Sequence, residues 1–366
     1  MASDCTERKE ASMQATKPKR KLYLDVLRIL AAFLVCYNHS FAFELYLVQA
    51  PDGSLVSWLN VAVAVFATIS MPLFFMLSGA LLLGKEESYQ DVLTKRVWRF
   101  LVLLFCGSGL TYLVLGERPL SVGVFVRQLL SGDVYLTFWF LYAYLSLLLA
   151  KPLLQKIAAL MTGKDVVYLL ILRLVFFSGK MLLDGCCSLM QLSAVTLSGE
   201  FRLPFTAIDI LFYPLMGYYL SAKLPLEKIG RREVLGCFGV IILGTAVASA
   251  LVYGEGYLQG FTQNYTTLFA WSSAMAVFVL VRRCMERFAA PEWLGKAIVG
   301  VSQVTIGIYL LEPIVCHYLF MKFHGGMPWT QMAVVGYSLA WCVFCMALCG
   351  GMTWLLRKLP GVKKYL

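Results

Sequence analysis

An arginine and a histidine stand in a segment that is otherwise apolar enough to cross a membrane. The segment "LDVLRILAAFLVCYNHSFAFEL" covers residues 24–45 and contains Arg28 and His39. Ionisable side chains in hydrocarbon are costly and usually serve a function. Eleven helical positions make three turns plus about 20°, so both side chains lie on one face, about 16 Å apart along the axis. One face of the helix thus offers a titratable base or acid nearer the outer side and a fixed cation nearer the cytoplasm.

A purely structural interpretation of the same residues is the alternative. His39 would then hydrogen-bond a neighbouring helix, and Arg28 would extend its side chain toward the cytoplasmic interface. Asp25 precedes Arg28 by three positions and is expected to form an ion pair with it rather than to catalyse. Glu44 lies near the outer end of the segment and is expected to be solvated.

A second basic pair lies in the stretch "KRVWRF", residues 95–100. Arg96 and Arg99 are one helical turn apart at the predicted cytoplasmic mouth of a membrane span. Guanidinium groups bind phosphate with two parallel hydrogen bonds, so the pair suits the phosphates of a cytosolic cofactor or a lipid headgroup. The alternative is the basic flank that cytoplasmic ends of spans commonly carry.

Two further stretches supply supporting candidates. In "MPLFFMLSGALLLGK", residues 71–85, Pro72 predicts a kink, and Ser78 next to Gly79 lets another helix or a ligand approach closely. Trp139 opens the aromatic-rich "FWFLYAYLSLLLAKP". Small and aromatic residues are also ordinary packing devices in membrane helices, so neither stretch predicts a site unaided.

A buried carboxylate is the last candidate. Glu312 stands in "SQVTIGIYLLEPIVCHYL", residues 302–319, toward the predicted outer end of its span. His317 is five positions further on and is poorly placed to contact it from the same helix. Glu312 therefore needs a partner on another helix or in a water-filled cavity.

The composition defines the elements that must position these residues. The chain of 366 residues is 60% hydrophobic and 14% charged, whereas soluble domains are about half apolar and a quarter charged. Apolar stretches long enough to cross the bilayer predict an all-α, polytopic membrane protein of about ten spans. These stretches lie near residues 23–44, 56–83, 97–115, 134–150, 165–183, 204–222, 234–253, 264–281, 299–320 and 331–356.

The placement of basic residues predicts the orientation. If the N-terminus is cytoplasmic, most of the 32 lysines and arginines fall on cytoplasmic segments, as the positive-inside rule requires. We therefore expect a basic cytoplasmic tail at residues 1–22, a ten-helix transmembrane domain at 23–356 and a short cytoplasmic tail at 357–366. The net charge of +11 then reflects loops that face anionic lipid, not a nucleic-acid surface.

The cysteines predict neither disulfides nor a metal site. Most of the 11 lie within predicted spans, where a free cysteine behaves as a small apolar side chain. Cys342 and Cys345 form a C-x-x-C sequence, but no second pair of ligands accompanies it.

The motifs in this order resemble acyltransferase family three, the ten-span membrane O-acyltransferases of bacteria. The resemblance rests on "YLDVLRILAAFLVCYNH", "PLFFMLSGALL", "KRVWR", "WFLYAYLSLLLAKP" and "IGIYLLEP", which together extend over nearly the whole chain. It is greatest to short members that lack an extracytoplasmic hydrolase-like domain, such as the enterobacterial-common-antigen O-acetyltransferases.

The resemblance implies a role for each candidate. His39 would be the catalytic base, Arg28 would be required for activity, and Arg96 with Arg99 would engage the acyl-CoA donor. The family usually has histidine at the position of Glu312, so the role of this residue departs from the pattern. A glutamate can accept a hydrogen bond or a proton but cannot donate when it is ionised.

The predicted function is transfer of an acyl group, most simply acetyl, from cytosolic acyl-CoA to a hydroxyl of a cell-surface or lipid-linked glycan. Arg28 and Ser78 are candidate donors to the oxyanion, and Asp25, Glu312 and Trp139 are supporting or acceptor-binding candidates. No bound cofactor and no nucleic-acid partner are expected, and the predicted location is the bacterial cytoplasmic membrane. The alternative is a transporter or a small-molecule-binding membrane module, such as the membrane half of the vancomycin-resistance serine racemases, without acyl transfer.

Overall fold

The described part of the chain is helical throughout. The computed structural model describes residues 20–40, 54–117, 119–193, 208–254, 268–320, 322 and 331–365, so Glu44 lies outside the described residues. The principal helices are α1 Leu22–Asn38, α2 Leu55–Leu82, α3 Tyr89–Leu115, α4 Val122–Ser131, α5 Leu136–Leu160, α6 Gly163–Arg173, α7 Gly179–Leu189, α8 Asp209–Tyr218, α9 Arg231–Gly254, α10 Leu268–Arg287, α11 Glu292–Ser302, α12 Thr305–Phe320 and α13 Gln331–Leu356.

The helices confirm an all-α, polytopic membrane protein. Within the described residues, six helices are long and apolar enough to cross a membrane, and α11 with α12 would make a seventh despite a bend of 53° between them. The six are α2, α3, α5, α9, α10 and α13. The other predicted spans coincide with α1, α6 with α7, and α8, which are shorter or carry more charge. The count of ten and the cytoplasmic termini therefore stay predictions.

The predicted kink in α2 occurs as a break between two helical halves. The first half, Leu55–Ala67, ends before Thr68, and the second half begins at Ser70. Pro72 stands in the first turn of the second half, where its missing N–H costs no intrahelical hydrogen bond.

Helix α1 is the central helix of the bundle. It packs against α2, α10, α11, α12 and α13. Its apolar residues, such as Leu27 and Ala31, are completely buried. Because neighbours surround α1, its charged residues face protein rather than lipid, which is the environment that an intramembrane ion pair requires.

Two glycines let α2 and α8 approach at backbone distance. A Cβ on Gly79 would overlap the Pro214 carbonyl, and a Cβ on Gly217 would overlap the Met76 carbonyl. The expectation that another helix approaches α2 closely beside Ser78 is therefore confirmed. This contact fixes one wall of the cavity described below.

Replacing Gly217 by alanine should destabilise the bundle. The added methyl group meets backbone atoms that cannot rotate away, so we expect a loss of roughly 1–3 kcal/mol in the free energy of unfolding. Gly239→Ala on α9 is the matched control, because a Cβ there meets no atom within 4 Å. Thermal unfolding of the purified protein measures both, and equal midpoints for the two variants would contradict the close contact.

Candidate functional site

His39 and Glu312 form a pair between two helices. His39 ends α1, and its Nδ1 lies 3.1 Å from Oε2 of Glu312 on α12. The other carboxylate oxygen accepts a hydrogen bond from the Cys316 thiol at 3.0 Å. Glu312 is only 3% exposed, so its charge is compensated almost entirely by these contacts. The prediction that Glu312 has a partner on another helix is confirmed, and that partner is the histidine singled out in α1.

A second polar cluster lies lower on the same helix. Arg28 Nη1 donates to Ser302 Oγ at 3.0 Å, and that hydroxyl donates to Asp25 Oδ1 at 2.6 Å. Arg28 also lies 3.8 Å from Asp25, as the sequence predicts. The closest ion-pair partner of Asp25 is instead Arg20, whose Nε and Nη2 donate to the carboxylate at 2.7 and 2.6 Å.

Both clusters connect α1 to the bent helix pair. Arg28 contacts the last residue of α11, and His39 contacts α12. The prediction that Arg28 and His39 lie on one face of α1 is thereby confirmed, since both meet the same neighbour. The bend between α11 and α12 falls at Gln303 and Val304, beside Arg28.

A cavity of about 630 Å³ joins the basic candidates. Arg28, Arg96, Arg99 and Ser78 all line it. Its basic residues are Arg20, Arg28, Lys85, Lys95, Arg96, Arg99 and Arg357. None of the described residues that line it is acidic. The cavity is therefore suited to an anionic ligand that carries several negative charges.

The cavity has a basic end and an aromatic end. Along α2 the lining runs from Met71 to Leu82, which are eleven positions or about 16 Å apart, and Lys85 follows the end of the helix. At the aromatic end the Phe140 ring lies 5.6 Å from Phe74 and 5.8 Å from Tyr309. The Tyr309 hydroxyl donates to the Thr137 carbonyl. Ligand groups inserted beyond the basic end therefore meet an aromatic surface.

The His39–Glu312 pair does not itself line the cavity. It is connected to the aromatic end through Tyr309, which precedes Glu312 by three residues of the same helix, a rise of about 4.5 Å. Tyr309 and Glu312 are thus about one helical turn apart.

A carboxylate below the cavity holds Arg96. Both Nε and Nη2 of Arg96 donate to Glu87, and the completely buried Lys151 donates to the same carboxylate at 2.8 Å. The hydrogen bonds from Arg96, together with that from Lys151, lower the pKa of the Glu87 carboxyl to about 2. The stabilisation from this network is therefore fully present above the ordinary carboxyl pKa and is lost only as the pH falls toward 2. Arg99 is held more loosely, by one hydrogen bond of 3.3 Å to the Tyr365 carbonyl.

The remaining candidates lie at or outside the edge of the cavity. The Ser78 hydroxyl donates to the Phe74 carbonyl at 2.8 Å, so its proton is already engaged. Trp139 is 39% exposed and is not among the residues that line the cavity. Asp25 is buried beneath Arg28 rather than facing the cavity. No group of three or more histidine, cysteine or acidic side chains suitable for a metal ion occurs in the described part of the chain.

Sequence reasoning missed several residues that complete the site. Ser302 and Tyr144 both lie in stretches singled out for other residues, but neither is ionisable at neutral pH. Lys151 falls among the basic residues of the predicted cytoplasmic segments, and nothing in the sequence singles out Glu87. A lysine beside Pro152 at the end of an apolar run was the one available indication, since a buried lysine requires a carboxylate partner.

These observations define a class of protein: a polytopic helical membrane protein with a basic cavity between its helices and a buried histidine–carboxylate pair. The chain matches the model of the acyltransferase domain of acyltransferase family three over residues 21–354, and it belongs to that family. A search of curated proteins gives no match. Family membership implies an acyl donor and an acceptor as substrates.

Proposed function

We propose that the protein transfers an acyl group, most simply acetyl, from cytosolic acyl-CoA to a hydroxyl of a cell-surface or lipid-linked glycan at the bacterial cytoplasmic membrane. The observation that carries the proposal is the cavity whose basic end is followed by an aromatic end, where Tyr309 lies about one helical turn from Glu312, the partner of His39. Arg96 and Arg99 suit the donor phosphates, and the positive-inside pattern supports a cytoplasmic position for that end.

The proposed chemistry uses His39 as general base. A carboxylate can only accept a hydrogen bond, so in this mechanism Nδ1 carries the hydrogen and donates it to Glu312. Nε2 is then unprotonated and keeps its lone pair. Nε2 removes the proton of the acceptor hydroxyl as its oxygen attacks the thioester carbonyl. When the carbon–sulfur bond breaks, the imidazolium returns the proton to the CoA thiolate. Glu312 therefore does not have to be protonated in this mechanism. An ionised glutamate can thus act at the position where the family usually has histidine.

Arg28 is proposed to bind the anionic part of the donor, because it lies about 16 Å from His39 along α1, too far to reach the carbonyl at which His39 acts. It lines the cavity, and Ser302 fixes its guanidinium. A guanidinium held in this way can bind a phosphate without rearranging. Ser78, whose hydroxyl already donates to the backbone, has no equivalent role in this proposal.

A short acyl chain fits the aromatic end best. The Phe140 ring packs against Phe74 and Tyr309 at this end, and the Tyr309 hydroxyl donates to the Thr137 carbonyl. Each additional methylene of a longer acyl chain would have to displace one of these rings. This supports acetyl over long-chain acyl groups as the transferred group.

A transporter is the second candidate, because the bent pair α11 and α12 is a discontinuous helix of the kind that binds substrate in transporters. In a transporter of this type the break would hold a small solute without any donor. Stabilisation of the purified protein by serine or another small solute, and none by CoA, would favour this candidate.

The donor site is tested by removing its two charges. Arg96→Gln with Arg99→Gln should raise the Kd for CoA by about 100-fold or more, since each replaced group costs one charge-assisted contact. The measurement is the thermal shift of the purified protein against CoA concentration.

The control removes the same charge elsewhere. Arg231→Gln with Arg232→Gln neutralises two exposed arginines of α9 that do not line the cavity. Its CoA affinity should equal that of the wild type. If both double variants lose the same affinity for CoA, the loss comes from the lower net charge of the protein. That result would contradict the proposed phosphate site.

A further inference from the structure

Tyr144 is a residue of the cavity that has no role in the mechanism proposed above. It lies on α5 between the aromatic and basic ends and lines the cavity. Its ring packs against Phe100 at 4.8 Å and against Phe140 at 6.0 Å between centroids, which holds the phenol in one orientation. The ring is therefore accounted for by packing, but the hydroxyl is not.

The surroundings of the hydroxyl are unusual. The charged groups that act on it electrostatically are Arg28, Arg96 and Arg99, all of which line the same cavity. A guanidinium group has donors only, so none of the three can accept the hydrogen of the phenol. Among the described residues, no hydrogen bond joins this hydroxyl to a protein acceptor. Its O–H is thus directed into the cavity without an acceptor from the protein.

We propose that the Tyr144 hydroxyl is a donor-binding group that hydrogen-bonds an oxygen of the bound acyl-CoA. The three guanidinium groups attract an anionic ligand to the same place, and the ligand's phosphate and amide oxygens are the acceptors that the site lacks. Because the hydroxyl lies among the arginines, its partner is in the part of the donor that acyl-CoA shares with free CoA. The inference rests on the proposed function and deepens it by adding a contact that connects Arg96 and Arg99 to Arg28.

The chain offers a close control on the same helix. Tyr142, two residues away, does not line the cavity, and its hydroxyl donates to the Leu129 carbonyl at 2.6 Å. Tyr142→Phe therefore removes a hydroxyl with a structural partner. Tyr144→Phe removes one without a protein partner and keeps the ring contacts with Phe100 and Phe140.

The two variants should behave in opposite ways. Tyr144→Phe should raise the Kd for free CoA and for acetyl-CoA alike by about tenfold, the size of one hydrogen bond to a charged ligand, with the unliganded melting temperature unchanged. Tyr142→Phe should lower the unliganded melting temperature and leave both affinities unchanged. The measurement is the thermal shift of the full-length purified protein over a range of ligand concentrations.

Each contrary result has a definite meaning. Wild-type affinity for CoA in Tyr144→Phe would overturn the inference, as would a loss of unliganded stability equal to that of Tyr142→Phe, which would make the hydroxyl structural. Wild-type protein that binds no CoA would instead remove the proposed function, and this inference would fall with it. Weakened binding in Arg96→Gln with Arg99→Gln, but not in Tyr144→Phe, would refute Tyr144 alone.

Discussion

Replacement of His39 by alanine should lower acyl transfer by about 10²–10⁴-fold, the usual contribution of a general base. The imidazole contacts Glu312, which follows Tyr309 of the cavity's aromatic end by three residues. Affinity for CoA should stay at the wild-type value, because His39 is not among the residues that line the cavity. The measurement combines turnover with labelled acetyl-CoA and a thermal shift with CoA.

His317 provides the matched control for this variant. It follows Glu312 on the same helix but is exposed and packs against the Tyr318 ring, 4.9 Å between centroids. His317→Ala should keep full activity. An inactive His317→Ala variant, or an active His39→Ala variant that is correctly inserted, would remove His39 from the mechanism.

Replacement of Glu312 by glutamine should lower turnover by about 100-fold or more. The amide keeps the size of the side chain, but it presents a donor as well as an acceptor and no negative charge, so it neither fixes the histidine tautomer nor stabilises the imidazolium. Loss of the corresponding carboxylate in serine proteases has an effect of about 10⁴-fold for the same reason. CoA affinity should again be unchanged, which separates this effect from damage to the donor site.

Glu312→Asp is the conservative comparison. It keeps the charge and shortens the side chain by one methylene, so it should recover part of the activity that Glu312→Gln loses. Equal activity in the wild type and Glu312→Gln would show that His39 needs no carboxylate. In that case the pair would serve only to connect α1 to α12.

Regular spacing made part of this site predictable from the sequence. Arg28 and His39 lie on one face because helical geometry depends on position alone, and the structure shows both facing the bent pair. The need of Glu312 for a partner followed from the cost of a buried carboxylate. The spans were predictable because apolar length is a local property, and the described helices coincide with the predicted stretches.

The partners themselves were not predictable, because they depend on tertiary packing. Glu312 is 273 residues away from His39, and Ser302 is 274 residues away from Arg28. The spacing of residues within one helix does not reveal which residues of another helix, far away in the sequence, they contact. The Glu87–Lys151 contact is not predictable for the same reason, and the distribution of basic residues assigns Lys151 only to a general cytoplasmic flank. Tyr144 gave no indication at all, since a tyrosine in an aromatic span is ordinarily a packing residue.

Transfer of acetyl across the membrane tests the account most directly. Inside-out membrane vesicles that contain the protein and its glycan acceptor in the lumen would receive labelled acetyl-CoA outside, on the original cytoplasmic face. The account predicts label on the lumenal glycan with wild-type protein and with His317→Ala, and at least about 100-fold less label with His39→Ala. Wild-type vesicles that bind CoA but leave the glycan unlabelled, or His39→Ala vesicles that label it at the wild-type rate, would contradict it.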